Sequence, residues 1–155
     1  MNSFITKKTI KNNRMKKVLI LCTGNSCRSQ MAEGWLRYFA GDMVQVYSAG
    51  THPEGVNPLA IHAMQTAGVD VSHHTSNNID DYMDINFDFV ITVCDNAKER
   101  CPYFPNTATK LHQSFHDPAN ATGTNSDQLK VYMEVRDQLK DYFKKFTKDN
   151  FLSKD

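Results

Sequence analysis

The run Val18-Leu19-Ile20-Leu21-Cys22-Thr23-Gly24-Asn25-Ser26-Cys27-Arg28-Ser29 constrains this chain more than any other stretch. Four consecutive apolar residues lead into Cys22, the pattern of a strand buried on both faces. Gly24 and Asn25 permit the positive φ angles of a sharp loop. From Ser29 the spacing turns helical, with Met31, Ala32, Trp35, Leu36 and Phe39 on one face. A strand, a tight loop and a helix N-terminus therefore follow one another. Unpaired N–H groups and the positive end of the helix dipole favour an anion there. Thr23, Gly24, Asn25, Ser26, Cys27, Arg28 and Ser29 are the candidate oxyanion cradle, a nest of successive N–H groups. Arg28 adds a planar fork of donors suited to a tetrahedral anion.

Cys22 opens this loop at the carboxyl end of its strand. N–H donors, a helix N-terminus and a guanidinium favour the thiolate, the nucleophilic form. The Ser29 hydroxyl and the Asn25 amide are further candidate donors to the sulfur. The same donors would serve charge developing on a bound oxyanion.

The rest of the chain reads as one domain of alternating strands and helices. Strands are expected at 17–22, 44–49, 87–93 and 109–113. Helices are expected from Ser29 to Phe39, from Asn57-Pro58 to Ala67, and from Asn125 or Ser126 to Phe146, with a short one near 79–83. This alternation implies an α/β fold, a three-layer sandwich with a four-stranded parallel sheet flanked by helices. Parallel sheets bind ligands at the carboxyl ends of their strands. Cys22, Cys94 and Asp117 all fall at or just beyond such ends.

Residues 15–148 are the expected catalytic domain. Residues 1–14, with Lys7, Lys8, Lys11 and Arg14, are expected as a mobile basic tail, and 149–155 as a frayed end. A formal charge of +1 gives no bulk attraction to nucleic acid or to a membrane surface. No apolar run approaches membrane-spanning length. Four cysteines without a secreted-scaffold pattern suit a reducing, cytoplasmic setting.

Cys94 and Cys101 lie in one polar loop with six residues between them. Pairing needs their Cα atoms about 5.5–6 Å apart, so the segment must fold back or unwind. Spacing alone leaves a redox pair and two unrelated thiols equally open. It does not match common zinc knuckles, and no metal is expected. Asp117-Pro118 reads either as a turn or as a stiffened carboxyl placed to donate a proton.

Cys22 to Ser29 fits the C-x5-R-S signature of the low-molecular-weight tyrosine phosphatase superfamily. The longer run from Cys22 to Trp35 resembles the thioredoxin-coupled arsenate reductases on that fold, and the resemblance extends from about Met15 to Phe146. It implies Cys22 as nucleophile, Arg28 as anion ligand and Asp117 as general acid. It also implies alternating disulfides among Cys22, Cys94 and Cys101. Arsenate is the implied substrate, with phosphate or sulfate as analogues. Thioredoxin is the implied external reductant, no cofactor is bound, and the working unit is a monomer.

Some relatives carry a monovalent cation near the positions of Asn25, Glu33 and Ser48. Asn77 stands here where an acid would complete that site, so no cation is expected. His116 replaces the acid expected beside Asp117. Ala119 and Asn120 stand where related phosphatases place an aromatic residue that stacks on an aryl substrate. The alternative activity is a phosphotyrosine phosphatase using Cys22, Arg28 and Asp117 alone.

Overall fold

A computed structural model describes residues 15–95, 98–105 and 107–152. The expected basic tail at 1–14 lies outside the described residues, as do 96–97, 106 and 153–155. Four strands form the sheet: β1 (Lys16–Leu21), β2 (Val44–Ala49), β3 (Phe89–Thr92) and β4 (Thr109–His112). Their order is β2-β1-β3-β4, and every pairing is parallel. The helices are α1 (Arg28–Ala40), α2 (Pro58–Thr66) and α3 (Asn125–Asn150).

β1 is the central strand by sequence and by burial. Its residues alternate between two cores, as the two-residue period of a strand requires. Val18 and Ile20 join a cluster with Met31, Trp35, Met64, Leu139 and Phe143, drawn from all three helices. Leu19 and Leu21 join Ile79, Phe87, Val90 and Phe104 on the opposite face. The three-layer sandwich therefore stands. Its second outer layer is a short helical turn, Ile79–Tyr82, with the Phe87 and Phe104 side chains, in place of a long helix. Each large apolar side chain so buried contributes roughly 1.5–3 kcal/mol. Trp35 is buried between α1 and α3 and donates its indole N–H to the Arg136 carbonyl at 3.0 Å. That bond satisfies the one polar atom of the largest core side chain.

Three local expectations need correction. The third strand is shorter than 87–93. Phe87 leaves the ladder to pack edge-on against Tyr47 and Phe104. The N-cap of α3 is Thr124, neither Asn125 nor Ser126. Thr124 and Asp127 form a capping box, with the Asp127 N–H donating to the Thr124 hydroxyl oxygen and the Thr124 N–H to the Asp127 carboxylate, both at 3.1 Å. Finally, α3 continues past Phe146 to Asn150, and Phe151 packs edge-on against Phe89 and Phe146. Apolar contact beyond the expected end holds that last turn in register.

The start of α2 follows its sequence signal. The Asn57 side chain accepts from the Leu59 N–H at 2.8 Å, with Pro58 in the first turn. Asn57 also donates its N–H to the Ser26 carbonyl at 3.1 Å, which ties the start of α2 to the loop after β1.

Candidate active site

The loop after β1 is braced from outside by the loop that follows β2. The carbonyls of Thr23, Gly24 and Ser26 accept from the N–H groups of His52, Glu54 and Asn57, at 3.0, 2.9 and 3.1 Å. In a trans peptide the N–H points opposite to the carbonyl of the same unit. The N–H groups of Gly24, Asn25 and Cys27 are thereby turned away from the bracing loop. Cys27 occupies the N-cap position of α1 and makes no side-chain capping bond, so its side chain does not consume the first N–H groups of the helix. Cys22, Gly24, Ser26, Cys27, Arg28 and Asp117 line one hollow of about 70 Å³, with Glu54, Asn57 and Ala119 at its sides.

Of the two residues expected at positive φ, only Asn25 adopts it, at 46°. Gly24 serves by its lack of a side chain, since a Cβ there would come within 2.9 Å of Glu54 Oε1. Asn25 is fully buried and held from several directions. Its carbonyl accepts from Gln30 Nε2 and from the Ser76 hydroxyl, each at 2.9 Å, and its Oδ1 accepts from the Asn77 N–H at 2.7 Å. Its amide does not donate to Cys22, as expected from sequence, but to Ser29 Oγ at 2.8 Å. Ser29 Oγ in turn lies 3.0 Å from Cys22 Sγ. With one lone pair of the hydroxyl taken by Asn25, the hydroxyl proton is left to face the sulfur. Asn25 therefore acts on Cys22 through Ser29.

Arg28 is almost fully buried. Its guanidinium pairs in bidentate fashion with Glu99, Nη1 to Oε1 and Nη2 to Oε2, the latter at 3.0 Å. Nη1 also donates to the Phe115 carbonyl at 3.2 Å, and Asp117 Oδ2 lies 3.5 Å from Nη2. Burial works against the Arg28 charge, but Glu99, Cys22 and Asp117 outweigh it and hold the pKa above its ordinary value. Glu99 is also bonded by the Thr23 hydroxyl at 3.1 Å and the Asp95 N–H at 2.7 Å. Burial raises its pKa, yet the donors from Arg28, Asp95 and Thr23 prevail and hold it below the usual carboxylate value. Glu99 was missed by sequence reasoning. Asp117 lines the same hollow, its Oδ1 accepting from the Ala119 N–H at 3.0 Å.

Cys94 and Cys101 form a disulfide, with Cα atoms 5.8 Å apart. Cys94 is buried, whereas Cys101 is half-buried. Cys22 and Cys94 follow the adjacent parallel strands β1 and β3, and the Val93 N–H donates to the Leu21 carbonyl at 3.0 Å. Cys22, Arg28 and Asp117 thus meet at one hollow, and the disulfide is linked to it through Glu99, which lies between Cys94 and Cys101 and pairs with Arg28.

A family model described as low molecular weight phosphotyrosine protein phosphatase matches residues 17–154. The chain belongs to this family. It is similar to an arsenate reductase of Bacillus licheniformis, 46% identical over 131 residues that cover 84% of this chain and 94% of that protein. Among solved structures it is similar to an arsenate reductase in the phosphate-binding state, with TM-score 0.74 and 32% identity over 87% of this chain and 98% of that one. It is also similar to an arsenate reductase in the oxidized state, with TM-score 0.72 and 30% identity over 84% and 95% of the two chains.

Two further positions bear on the chemistry of this family member. Burial pushes the Cys27 thiol up to about 11; hydrogen bonds to Tyr132 and Ser26 oppose the rise, while the Asp117 and Cys22 charges add to it. Cys27 stays protonated at neutral pH, which suits a lining residue and not a second nucleophile. At the corner of Asn25, Glu33 and Ser48, the Asn77 amide donates to the Ser48 carbonyl at 3.2 Å. Glu33 accepts from the Ser48 hydroxyl at 2.6 Å and from Arg37 Nε at 2.9 Å. The Asn77, Ser48 and Arg37 donors thus point at the oxygens of this corner, and position 77 supplies an amide where an acid would complete a cation site. Among the described residues no helix is long and apolar enough to cross a membrane.

Proposed function

We propose that this protein reduces arsenate to arsenite, with Cys22 as nucleophile and Cys94 and Cys101 as the thiols that carry away the oxidising equivalents. The supporting observation is the Cys94–Cys101 disulfide beside a loop that presents Cys22, Arg28 and Asp117 to one small hollow. Phosphate ester hydrolysis would use Cys22, Arg28 and Asp117 without drawing on Cys94 or Cys101. Arsenate, a tetrahedral oxyanion like phosphate or sulfate, binds the N–H groups of 23–29 and the Arg28 guanidinium. The Cys22 thiolate, hydrogen-bonded by Ser29, attacks arsenic, and Asp117 protonates the departing oxygen, which leaves as water.

Cys94 as thiolate then attacks Cys22 Sγ. The sulfur–arsenic bond breaks, its electron pair reduces As(V) to As(III), and arsenite leaves. Cys101 attacks Cys94, freeing the Cys22 thiolate and closing the 94–101 disulfide. An external dithiol, thioredoxin, takes up that oxidation and becomes a disulfide itself. The half-buried Cys101 is the sulfur presented for that exchange. The cycle requires no bound cofactor, suits a reducing cytoplasmic setting, and needs one subunit only.

The test is arsenate-dependent NADPH oxidation coupled through thioredoxin and thioredoxin reductase, with aryl phosphate hydrolysis in parallel. Turnover of arsenate is expected to vanish in Cys94→Ser and Cys101→Ser while phosphate hydrolysis survives. Efficient phosphate hydrolysis by all three proteins, with no NADPH consumed, would make the protein a phosphatase.

A further inference from the structure

We infer that Glu99 is a built-in competitor for the oxyanion cradle, locked onto Arg28 by the Cys94–Cys101 disulfide, so that the oxidised protein excludes tetrahedral anions until a reductant opens the loop. The inference rests on the proposed redox cycle for the order of events.

Four bonds carry the lock. Both terminal nitrogens of Arg28 donate to the Glu99 carboxylate, the Thr23 hydroxyl donates to Oε2, and the Asp95 N–H donates to Oε1. A carboxylate in this fork uses the donors that a tetrahedral anion would use. Arg28 and Thr23 are both residues of the cradle, so Glu99 and a bound oxyanion compete for the same groups. Two anions on one buried guanidinium would also repel each other.

The lock belongs to the disulfide form because Glu99 lies within the ring that the disulfide closes. Cys94 and Cys101 are held with their Cα atoms 5.8 Å apart, and the Lys98 and Glu99 N–H groups both donate to the Asp95 carbonyl at 2.9 Å. With its backbone so held, Glu99 meets Arg28 through both carboxylate oxygens. Reduction of the disulfide by a dithiol, with two electrons and two protons passing to the sulfurs, opens the ring and leaves Glu99 on the longer backbone tether between β3 and β4. An intramolecular competitor acts at an effective concentration on the order of millimolar, and a longer, looser tether lowers it.

The lock is also reversible by design of its donors. Among the described residues, Arg28 Nε is the buried side-chain polar atom left without a hydrogen-bond partner. Glu99 satisfies Nη1 and Nη2 but not Nε. An oxyanion bound through Nε and Nη2 would recover the unused donor, so the reduced protein favours the ligand over its own carboxylate. In sequence terms the cycle then has a direction. The last thiol exchange both closes the disulfide and seats Glu99, which expels residual anion and keeps phosphate out while the protein waits for reductant.

The test is binding of inorganic phosphate, by titration calorimetry, to the full chain in two states: with the Cys94–Cys101 disulfide formed, and reduced with dithiothreitol. The proteins are wild type, Glu99→Gln and Glu99→Ala. Oxidised wild type is expected to bind phosphate about tenfold more weakly than reduced wild type, within the roughly 5–150-fold range typical of coupled binding events. Glu99→Ala is expected to bind equally in both states, and Glu99→Gln to fall between because an amide pairs less strongly with the guanidinium. Equal affinity in oxidised and reduced wild type overturns the lock, as does an oxidised Glu99→Ala that stays as weak as oxidised wild type. No arsenate turnover enters this readout. Redox-dependent phosphate binding without arsenate-dependent NADPH oxidation would keep the lock and reject the reductase proposal; the reverse pair of results would reject the lock alone.

Discussion

Ser29 Oγ sits 3.0 Å from Cys22 Sγ, with its own lone pair occupied by the Asn25 amide at 2.8 Å. The proposed nucleophile, Cys22, is therefore contacted by a relay of two side chains from its own loop and helix. Ser29→Ala removes the donor next to the sulfur and leaves the Asn25 amide buried without its acceptor. A hydrogen bond to a charged group is worth about 1.5–3 kcal/mol, so turnover should fall about tenfold to a hundredfold. Aryl phosphate hydrolysis and arsenate reduction should fall together, since both begin with the same thiolate. Ser29→Thr, which restores a hydroxyl, should recover part of the loss.

Asp117 shares the hollow with Cys22 and stands 3.5 Å from Arg28 Nη2. Asp117→Asn keeps the shape and removes the proposed proton donor. A positioned general acid contributes about 10²–10⁴-fold. The expected result is a loss of that order in aryl phosphate hydrolysis, with phosphate affinity retained or improved because one negative charge has left the Arg28 neighbourhood. The loss should shrink for substrates whose leaving group needs no protonation. An equal loss for good and poor leaving groups would mean that Asp117 only orients Arg28.

The cradle was legible in sequence because it is local. Strand, loop and helix are contiguous, and Cys22, Asn25, Arg28 and Ser29 need no distant partner to be recognised. The position of Asp117 after a strand was legible, but its acid role came only from the family resemblance, as did the choice of a redox pair at 94 and 101, which spacing left open. What stayed hidden is what depends on distant contacts. Glu99 reads as one charge among Asp95, Lys98 and Arg100 until the disulfide turns it toward Arg28. Tyr132 falls off the apolar stripe read from α3, yet it is buried and receives the Cys27 thiol at 3.5 Å. The bracing of the cradle by His52, Glu54 and Asn57 runs through backbone groups, which carry no sequence signal.

Gly50 carries a second such hidden constraint. Added there, a Cβ would overlap the Thr23 carbonyl oxygen and come within 2.8 Å of that of Cys22. Both obstacles are backbone, so neither can rotate aside. Gly50→Ala should push the start of the cradle away from β2, at a cost of about 1–3 kcal/mol typical of overpacking. Urea unfolding should register the lost stability, and phosphate affinity should fall with it. Gly55→Ala would separate the two effects, since nothing stands within 4 Å of a Cβ there and only its φ of 83° is strained. It should lower stability while disturbing phosphate binding less.

His74 makes stability depend on pH beneath the cradle. Its side chain is nearly buried, with Nδ1 at 3.1 Å from Gln30 Oε1 and 3.7 Å from Glu33 Oε1. The Gln30 amide nitrogen is committed to the Asn25 and Thr75 carbonyls, each at 2.9 Å, so Oε1 faces the ring and Nδ1 carries the proton. Burial lowers the His74 pKa, and His73 and Arg37 lower it further, while Glu33 and Asp70 oppose the shift. The unfolded chain therefore takes up a proton on this ring at a higher pH than the folded protein does. Stability from the neutral ring is fully present above the ordinary value of 6.5 and is lost as pH falls below it. Melting temperatures measured from one unit above that value to one unit below should fall in the wild type. The decline should be shallower in His74→Gln, which is less stable at the upper end but has no proton to gain. The Gln30 side chain links His74 to the Asn25 carbonyl, so phosphate affinity should weaken over the same interval in the wild type and hold steadier in the variant. Parallel slopes in the two proteins would place the acid sensitivity at another group.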